Sequence, residues 1–540
     1  MKNVLKIVLI LLILTNCKKE NKVITPSIKT QNYTDLFLDQ SIVDSYFESN
    51  QEKENIIKEV NLFYKNRNFQ YAWFSQNGMT QAVPNFQNQL QNYSNDFDDV
   101  TFNNKQLDTL ITMIKTNPNQ KKIDKNQREK LELILTTTFF KYSEKAFSGI
   151  IKNTTKLDWF IPRAKKNFQV MLDSLVLKNK NEKTYEPVNL YYSKLKEKLS
   201  LYRDIQKKGG FPIIKSDKEF LTKTETDSTI LQVKKRLVLT GDLKINDNNL
   251  LYTMPLVQAI TNFQQRVGLP ENGKLNFKTI AEMNKTVDFR IKQMLVNLER
   301  LRWVPVEIEK DYLLVNIPEY KLHVFENQKL IWETNVVVGK TAKQTSIFRG
   351  NISKVILNPY WNLPTSITNN EVLPHLKRNR NYLSRNNMEV LSGGKVINPD
   401  AISWNNYSKI PYEIRQKPGN NNSLGKMKFL FPNSYSIYLH DTPSKELFDR
   451  NKRDFSHGCI RVENPKKLAM YLLRNDKTWT QENVDKVLKT NINTEILIKP
   501  TIPVYITYFT AWVDVKGNLN FRDDIYNLDN ELAKEIFEEQ

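Results

Sequence analysis

The sequence predicts a multidomain α+β protein: a helical N-terminal scaffold and a small three-helix unit, followed by a mainly β domain that carries an insertion. Three observations predict it. Apolar residues recur at three- and four-residue spacing as far as Leu301, the spacing shifts toward two after residue 311, and a long polar, asparagine-rich stretch separates Trp361 from Phe431. The 540 residues suggest three or four domains at roughly 100–200 residues each. Hydrophobic residues make up 40% and aromatics 11%, enough to build buried cores.

Residues 1–16 read as a targeting segment. Lys2 and Lys6 make a positive start, and residues 7–14 are unbroken apolar chain, about half of the ~20 residues needed to span a bilayer. The run Leu14-Thr15-Asn16-Cys17 resembles the lipobox of bacterial lipoproteins, which implies cleavage before Cys17 and a lipid on its sulfur. Asn16 departs from the usual small residue there, so an ordinary signal peptide stays open. Residues 17–35 are polar and read as a tether.

Residues 36–225 are expected to be a helical scaffold domain. Leu135, Phe139, Tyr142 and Ala146 share one helical face, with Gly149 as a stop. Over residues 228–288, Leu256, Ala259, Ile260, Phe263 and Val267 mark an amphipathic helix closed by Gly268. The Asn272-Gly273 turn follows, then a second helical face at Thr279, Ile280 and Met283. The string from Ala259 to Gln264, with Gly268-Leu269, Gly273 and Thr279, resembles the peptidoglycan-binding domain of cell-wall enzymes. Residues 289–310 follow as a linker helix with Ile291, Met294, Leu295, Leu298 and Leu301 on one side.

Residues 311–500 carry the β period. Leu322 and Val324 alternate, residues 326–329 turn, residues 330–338 return as a strand, and residues 435–440 alternate again. Residues 501–540 add a β segment and tail. Loops as long as 362–430 inside a domain are usually lids or subdomains.

The formal net charge is +21, from 80 Lys and Arg against 59 Asp and Glu. That suits solvated basic faces or an anionic partner. No basic run of five or more and no zinc-finger or RNA-binding signature is present, so nucleic acid is not expected as a partner. An acidic polymer outside the cytoplasm fits the N-terminus better.

There are two cysteines, Cys17 and Cys459. With Cys17 lipidated, the mature chain has one thiol, and a leftover thiol in an exported protein deserves a test for reactivity. Two of the four histidines flank it: His440, at the end of an expected strand, and His457, two residues away. A free thiol is mostly protonated at neutral pH and needs a base or positive surroundings. His440 can supply the base, Gly458 lets the backbone turn and offer N–H groups beside the thiol, and Arg461 adds permanent charge.

The spacing His440–x15–Ser456-His457-Gly458-Cys459-Ile460-Arg461 resembles the signature of the L,D-transpeptidase catalytic domain, in the variant of the large multidomain subgroup of Gram-negative bacteria. Supporting strings are Asn358-Pro359-Tyr360-Trp361, Leu424-Gly425 and the run from Phe521 to Tyr526. The resemblance implies Cys459 as nucleophile, His440 as proton acceptor, and the amides around His457, Gly458 and Cys459 as an oxyanion hole. His457 would organise the loop and Arg461 support the site. Tyr360, Trp361, Tyr438 and Ser456 would bind substrate, although aromatic core packing is the favoured reading for the first three. Residues of about 362–430 would form a capping subdomain.

The implied reaction joins peptidoglycan stems by 3→3 cross-links: a tetrapeptide donor passes through a thioester to a diaminopimelate amine, with no cofactor. Cell-wall synthases are candidate partners, and the place is the periplasm, on a lipid anchor in a membrane. Three rivals stay open: a metal site on His440, Asp441, His457 and Cys459, a Cys-His hydrolase that trims stems or releases wall-linked proteins, and a binding protein with a decayed site. The expectation is no metal. His323 and His375 read as structural or solvated.

Overall fold

The computed structural model describes residues 34–116, 123–163, 165–177, 188–217, 220–221, 223–306 and 308–537. The expected targeting segment, Cys17 and most of the tether lie outside them. Among the described residues no helix is long and apolar enough to cross a membrane. The chain divides into two compact units, one of residues 1–81 and 107–136, the other of 82–106 and 137–540.

The first unit is helical, with Gln40–Ser49 and Glu54–Asn66 and a short hairpin of Phe74–Ser75 on Gly78–Met79. Its centre is polar as well as apolar. The buried Glu132 carboxylate accepts the Ala72 and Trp73 amides at 2.5 and 3.0 Å, and Thr136 Oγ1 accepts the Trp73 indole N–H at 2.9 Å. Burial raises the Glu132 carboxyl to about 7, with those amides opposing.

In the second unit, the helices Thr229–Leu239, Met254–Val267 and Phe277–Met283 share one core around Val233, Leu237, Leu256, Ile260, Phe263 and Met283. The next helix, Val287–Trp303, corrects the linker expectation. It is buried along nearly its whole length, polar residues included. Those polar groups are paired, which lets a charged helix run through an interior. Asn297 exchanges hydrogen bonds with Thr510, Gln293 donates to the Thr510 and Arg522 carbonyls, and Arg300 and Arg302 pair with Asp529 and Glu299. The amphipathic stripe at Ile291 to Leu301 hid this, because the partners of Gln293, Asn297 and Arg300 come from residues 510–529.

The β domain is built on a sheet of nine strands: β1 Tyr312–Asn316, β2 Lys321–Glu326, β3 Lys329–Gly339, β4 Arg349–Leu357, β5 Met427–Leu430, β6 Leu439–His440, β7 Asp454–Ser456, β8 Ile460–Val462 and β9 Thr494–Thr507. Their order is β7-β3-β8-β6-β5-β4-β9-β1-β2, and β2 also pairs with β3, which closes all but β7 into a ring. The expected turn at residues 326–329 is present, with Asn327 and Gln328 at positive φ joining β2 to β3. Period-two alternation decides which residues line the core. Phe429, Leu439, Ile460 and Val355 stand side by side in register and are fully buried.

The insertion between β4 and β5 has its own sheet of Lys395–Ile397, Met388–Ser392, Glu413–Gln416 and Trp361–Asn362, in that order. Its own core includes Val372, Leu376, Val390, Trp404 and Ile414. The strand that ends the expected subdomain, β5, belongs to the main sheet instead, because its residues pair with β4 and β6.

Candidate active site

The register of β6 on β8 assembles the site. The two run parallel, with Leu439 opposite Ile460 and His440 opposite Arg461. Alternation therefore puts Tyr438, His440, Cys459 and Arg461 on one face, opposite the core side chains of Leu439 and Ile460. Cys459 and His440 are diagonal neighbours there, a relation that spans on the order of 7–8 Å in a sheet and lies within reach of long side chains.

Cys459 is half-buried and its thiol is free. Its Sγ donates to the Ser436 carbonyl oxygen at 3.6 Å and accepts from the Tyr438 amide and hydroxyl. Burial pushes the thiol above its ordinary pKa. The Tyr438 donors and the positive charges of Lys428 and Arg461 pull the other way. Tyr438 in turn is hydrogen-bonded by the Trp361 indole of the insertion. Trp361 and Tyr438 thus form a chain that ends on the Cys459 sulfur. Tyr360, by contrast, is covered by the Arg415 guanidinium, 4.3 Å from its ring centre.

His440 is 5% exposed. Its Nδ1 lies 2.5 Å from the Asp441 carbonyl oxygen, which can only accept, so Nδ1 carries the proton and Nε2 offers a lone pair. Burial, then the Arg461 charge, pushes the imidazole down to about 3, against the Asp441 hydrogen bond. The ring is a neutral base at physiological pH. The Asp441 carboxylate fixes the strand end by accepting the Lys426 and Thr442 amides and the Lys445 ammonium, at 2.8, 2.7 and 2.6 Å. Gly425 makes room for it: a Cβ there would collide with the Asp441 carboxyl group.

The loop between β7 and β8 turns at Gly458, with φ +114°, a conformation open to glycine. Ser456, expected as a substrate contact, holds this loop instead. It is 2% exposed, its Oγ accepts the Gly458 amide at 3.1 Å and donates to the Cys459 carbonyl at 2.5 Å. The Gly458 amide is therefore already used, which corrects its place in the expected oxyanion hole. The His457 and Cys459 amides have no hydrogen-bond partner among the described residues and remain as donors. Thr345 Oγ1 fixes the loop from behind, donating to the Gly458 carbonyl at 2.8 Å.

The His457 side chain points to the insertion, with Nε2 3.1 Å from Glu371 Oε1. Burial lowers its pKa, against the Glu371 charge. Arg461 is partly buried and its Nε has no hydrogen-bond partner among the described residues. Burial lowers its guanidinium as well, with Glu446 and Cys459 opposing.

Two site residues escape the sequence reading. Lys428 projects from β5 onto the same face as His440, its Cα partner. Glu371 reaches His457 from the insertion. The alternation of Lys428 with Phe429 is the available signal for the first, and nothing local marks the second. His323 sits in β2, paired with Glu319 and Glu333, and His375 stacks on Tyr382. Among the described residues no group of three or more His, Cys, Asp and Glu is placed to hold a metal ion.

Residues 310–488 match the family model of the L,D-transpeptidase catalytic domain, and residues 58–199 that of a scaffold domain. A Haemophilus influenzae protein named "Putative L,D-transpeptidase" is 37% identical over 246 residues, which are 45% of this chain and 49% of that protein. The chain thus spans about half the length of that curated relative. Two solved L,D-transpeptidases, from Stackebrandtia nassauensis and Xylanimonas cellulosilytica, are 13% and 12% identical, with TM-scores of 0.22 and 0.19. They cover 53% and 54% of this chain, and 97% and 100% of their own. Likenesses at such TM-scores carry no weight. The family match over the β domain is the one that carries weight: residues 310–488 are an L,D-transpeptidase catalytic domain, and residues 58–199, earlier in the sequence, match a scaffold domain.

Proposed function

We propose that the protein is a peptidoglycan L,D-transpeptidase that forms 3→3 cross-links through a thioester on Cys459. The observation that carries this reading is the shared sheet face of Cys459 and a neutral His440 whose Nε2 lone pair is free, beside a loop with two unused amides.

In the first step the thiol proton passes to His440 Nε2 as Sγ bonds to the carbonyl of the third stem residue. The amides of His457 and Cys459 take the charge that develops on the oxygen, where one such donor is typically worth ~10²–10³ in rate. The C–N bond breaks, the His440 proton goes to the departing amine, and the terminal D-residue leaves. In the second step the side-chain amine of another stem attacks the thioester, gives its proton to His440, and expels the thiolate, which takes that proton back. The charge on His440 is transient, as a buried imidazole requires.

Water competes for the thioester. The insertion reaches the site through Trp361 and Glu371, and a cover that limits water there favours transfer over hydrolysis. The three-helix unit would hold the polymer. Cys17 would carry the lipid that keeps the chain on a membrane facing the periplasm, and the mass of the mature N-terminal peptide tests that anchor.

Muropeptides from cells with wild type or Cys459→Ala test the function. Dimers linked 3→3 should form with the wild type and vanish with the variant. Shortened monomers without dimers would make the protein a stem-trimming hydrolase instead.

A further inference from the structure

The Tyr438 ring has two chemically distinct neighbours on the catalytic face. Its hydroxyl and amide meet the Cys459 sulfur, and the Lys428 ammonium lies 4.0 Å from its ring centre. Lys428 is held there by register, since its Cα partner is His440 while the next residue, Phe429, is fully buried in the core. Among the described residues Lys428 makes no ion pair. The acid that acts on it, Glu495, is bound by Lys354 at 2.6 Å. Arg461, on the same face, keeps an unpartnered buried Nε. Lys445 is neutralised by Asp441.

Lys428 therefore brings to the face around the thiol a positive charge that no ion pair among the described residues balances. Holding a half-buried cation without a counterion is costly. The cost is recovered when an anion arrives with the ligand. Burial also lowers the Lys428 ammonium below its ordinary pKa, which a bound carboxylate would reverse.

We propose that Lys428 binds the C-terminal carboxylate of the departing D-residue, so that the enzyme reads the end of the donor stem as well as the bond it cuts. The inference rests on the transfer reading above and names the group that selects its donor. Standard backbone dimensions put that carboxylate within about 4 Å of the attacked carbon. On this reading the departing residue lies on the Tyr438 side of the thiol, toward Lys428. A stem whose end is blocked or extended offers no carboxylate there.

The test uses two donors on the full chain: a disaccharide-tetrapeptide with a free terminal carboxylate, and the same molecule as its terminal carboxamide. The wild type should prefer the free acid by about tenfold or more in kcat/KM, the size of one charge-assisted contact. Lys428→Met should lose that preference while still consuming the carboxamide, and Lys428→Arg should keep most of it. A wild type that treats both donors alike overturns the inference. So does a Lys428→Met variant that slows both donors equally and keeps their ratio, because that is the pattern of thiolate support alone. No turnover of either donor by the wild type would overturn the transfer reading and this inference with it.

Discussion

Ser456 and Cys459 are joined across the loop between β7 and β8: the Ser456 hydroxyl donates to the Cys459 carbonyl oxygen at 2.5 Å while it accepts the Gly458 amide at 3.1 Å. One buried side chain thus sets the loop and aims the thiol. Ser456→Ala removes both bonds. Each is worth about 0.5–1.5 kcal/mol, so the melting temperature should fall modestly. We expect kcat to fall by about tenfold or more with KM little changed, as steady-state kinetics would show. An unchanged kcat would remove Ser456 from the site's architecture.

Two glycines separate crowding from backbone strain. Gly425 has φ +60° and no room, because a Cβ there would collide with the Asp441 carboxyl group. Gly458 has φ +114° and room for a Cβ, whose nearest neighbour, the Gln344 carbonyl oxygen 3.5 Å away, would be in ordinary contact. Gly458→Ala should cost about 1–3 kcal/mol from strain alone and lower kcat. Gly425→Ala should cost more, because it also displaces the carboxylate that fixes the end of β6. Denaturant unfolding of both variants checks the order.

Cys459 and His440 are both neutral at rest, the thiol raised by burial and the imidazole lowered to about 3. Alkylation by iodoacetamide needs the thiolate, so its rate should climb about tenfold per pH unit from about pH 6 to 8 and keep climbing. A thiolate–imidazolium pair would give a flat rate over the same range. The pH profile of Cys459 labelling decides between them.

His323 stabilises the fold by its charge. Burial pulls its pKa down, but the Glu319 and Glu333 carboxylates outweigh that and raise it to about 9. Nε2 lies 2.9 Å from Glu319 and Nδ1 3.3 Å from Glu333. A raised imidazole gives its full stability below its ordinary value of 6.5 and loses it as pH rises through about 9. At ~1.4 kcal/mol per pKa unit the loss is a few kcal/mol at most. His323→Gln should flatten stability between pH 6.5 and about 9, as measured by denaturant melts across that range.

The parts of the site that are legible in the sequence are local in sequence or chemically rare. Only two cysteines, one of them with a histidine two residues before it and another histidine at a strand end upstream, leave few alternatives. Ser456 misleads because its two hydrogen bonds stay within the loop, and a hydroxyl beside a nucleophile looks the same whether it meets substrate or backbone. Lys428 is marked only by its alternation with Phe429, and Glu371 by nothing local, because their partners come through strand register and through the insertion. The helix Val287–Trp303 shows the same limit at the level of the fold. Its apolar stripe is readable, but the partners of Asn297 and Arg300, Thr510 and Asp529, lie far along the chain, 213 and 229 residues away.

The most direct measurement is the intact mass of the chain after brief mixing with a tetrapeptide donor and no acceptor. The account requires a species heavier by the donor minus its terminal D-residue, with the added mass on the peptide that contains Cys459. Cys459→Ala should show none. A donor that loses its D-residue at the wild-type rate in the variant, or an adduct on another residue, would contradict the account.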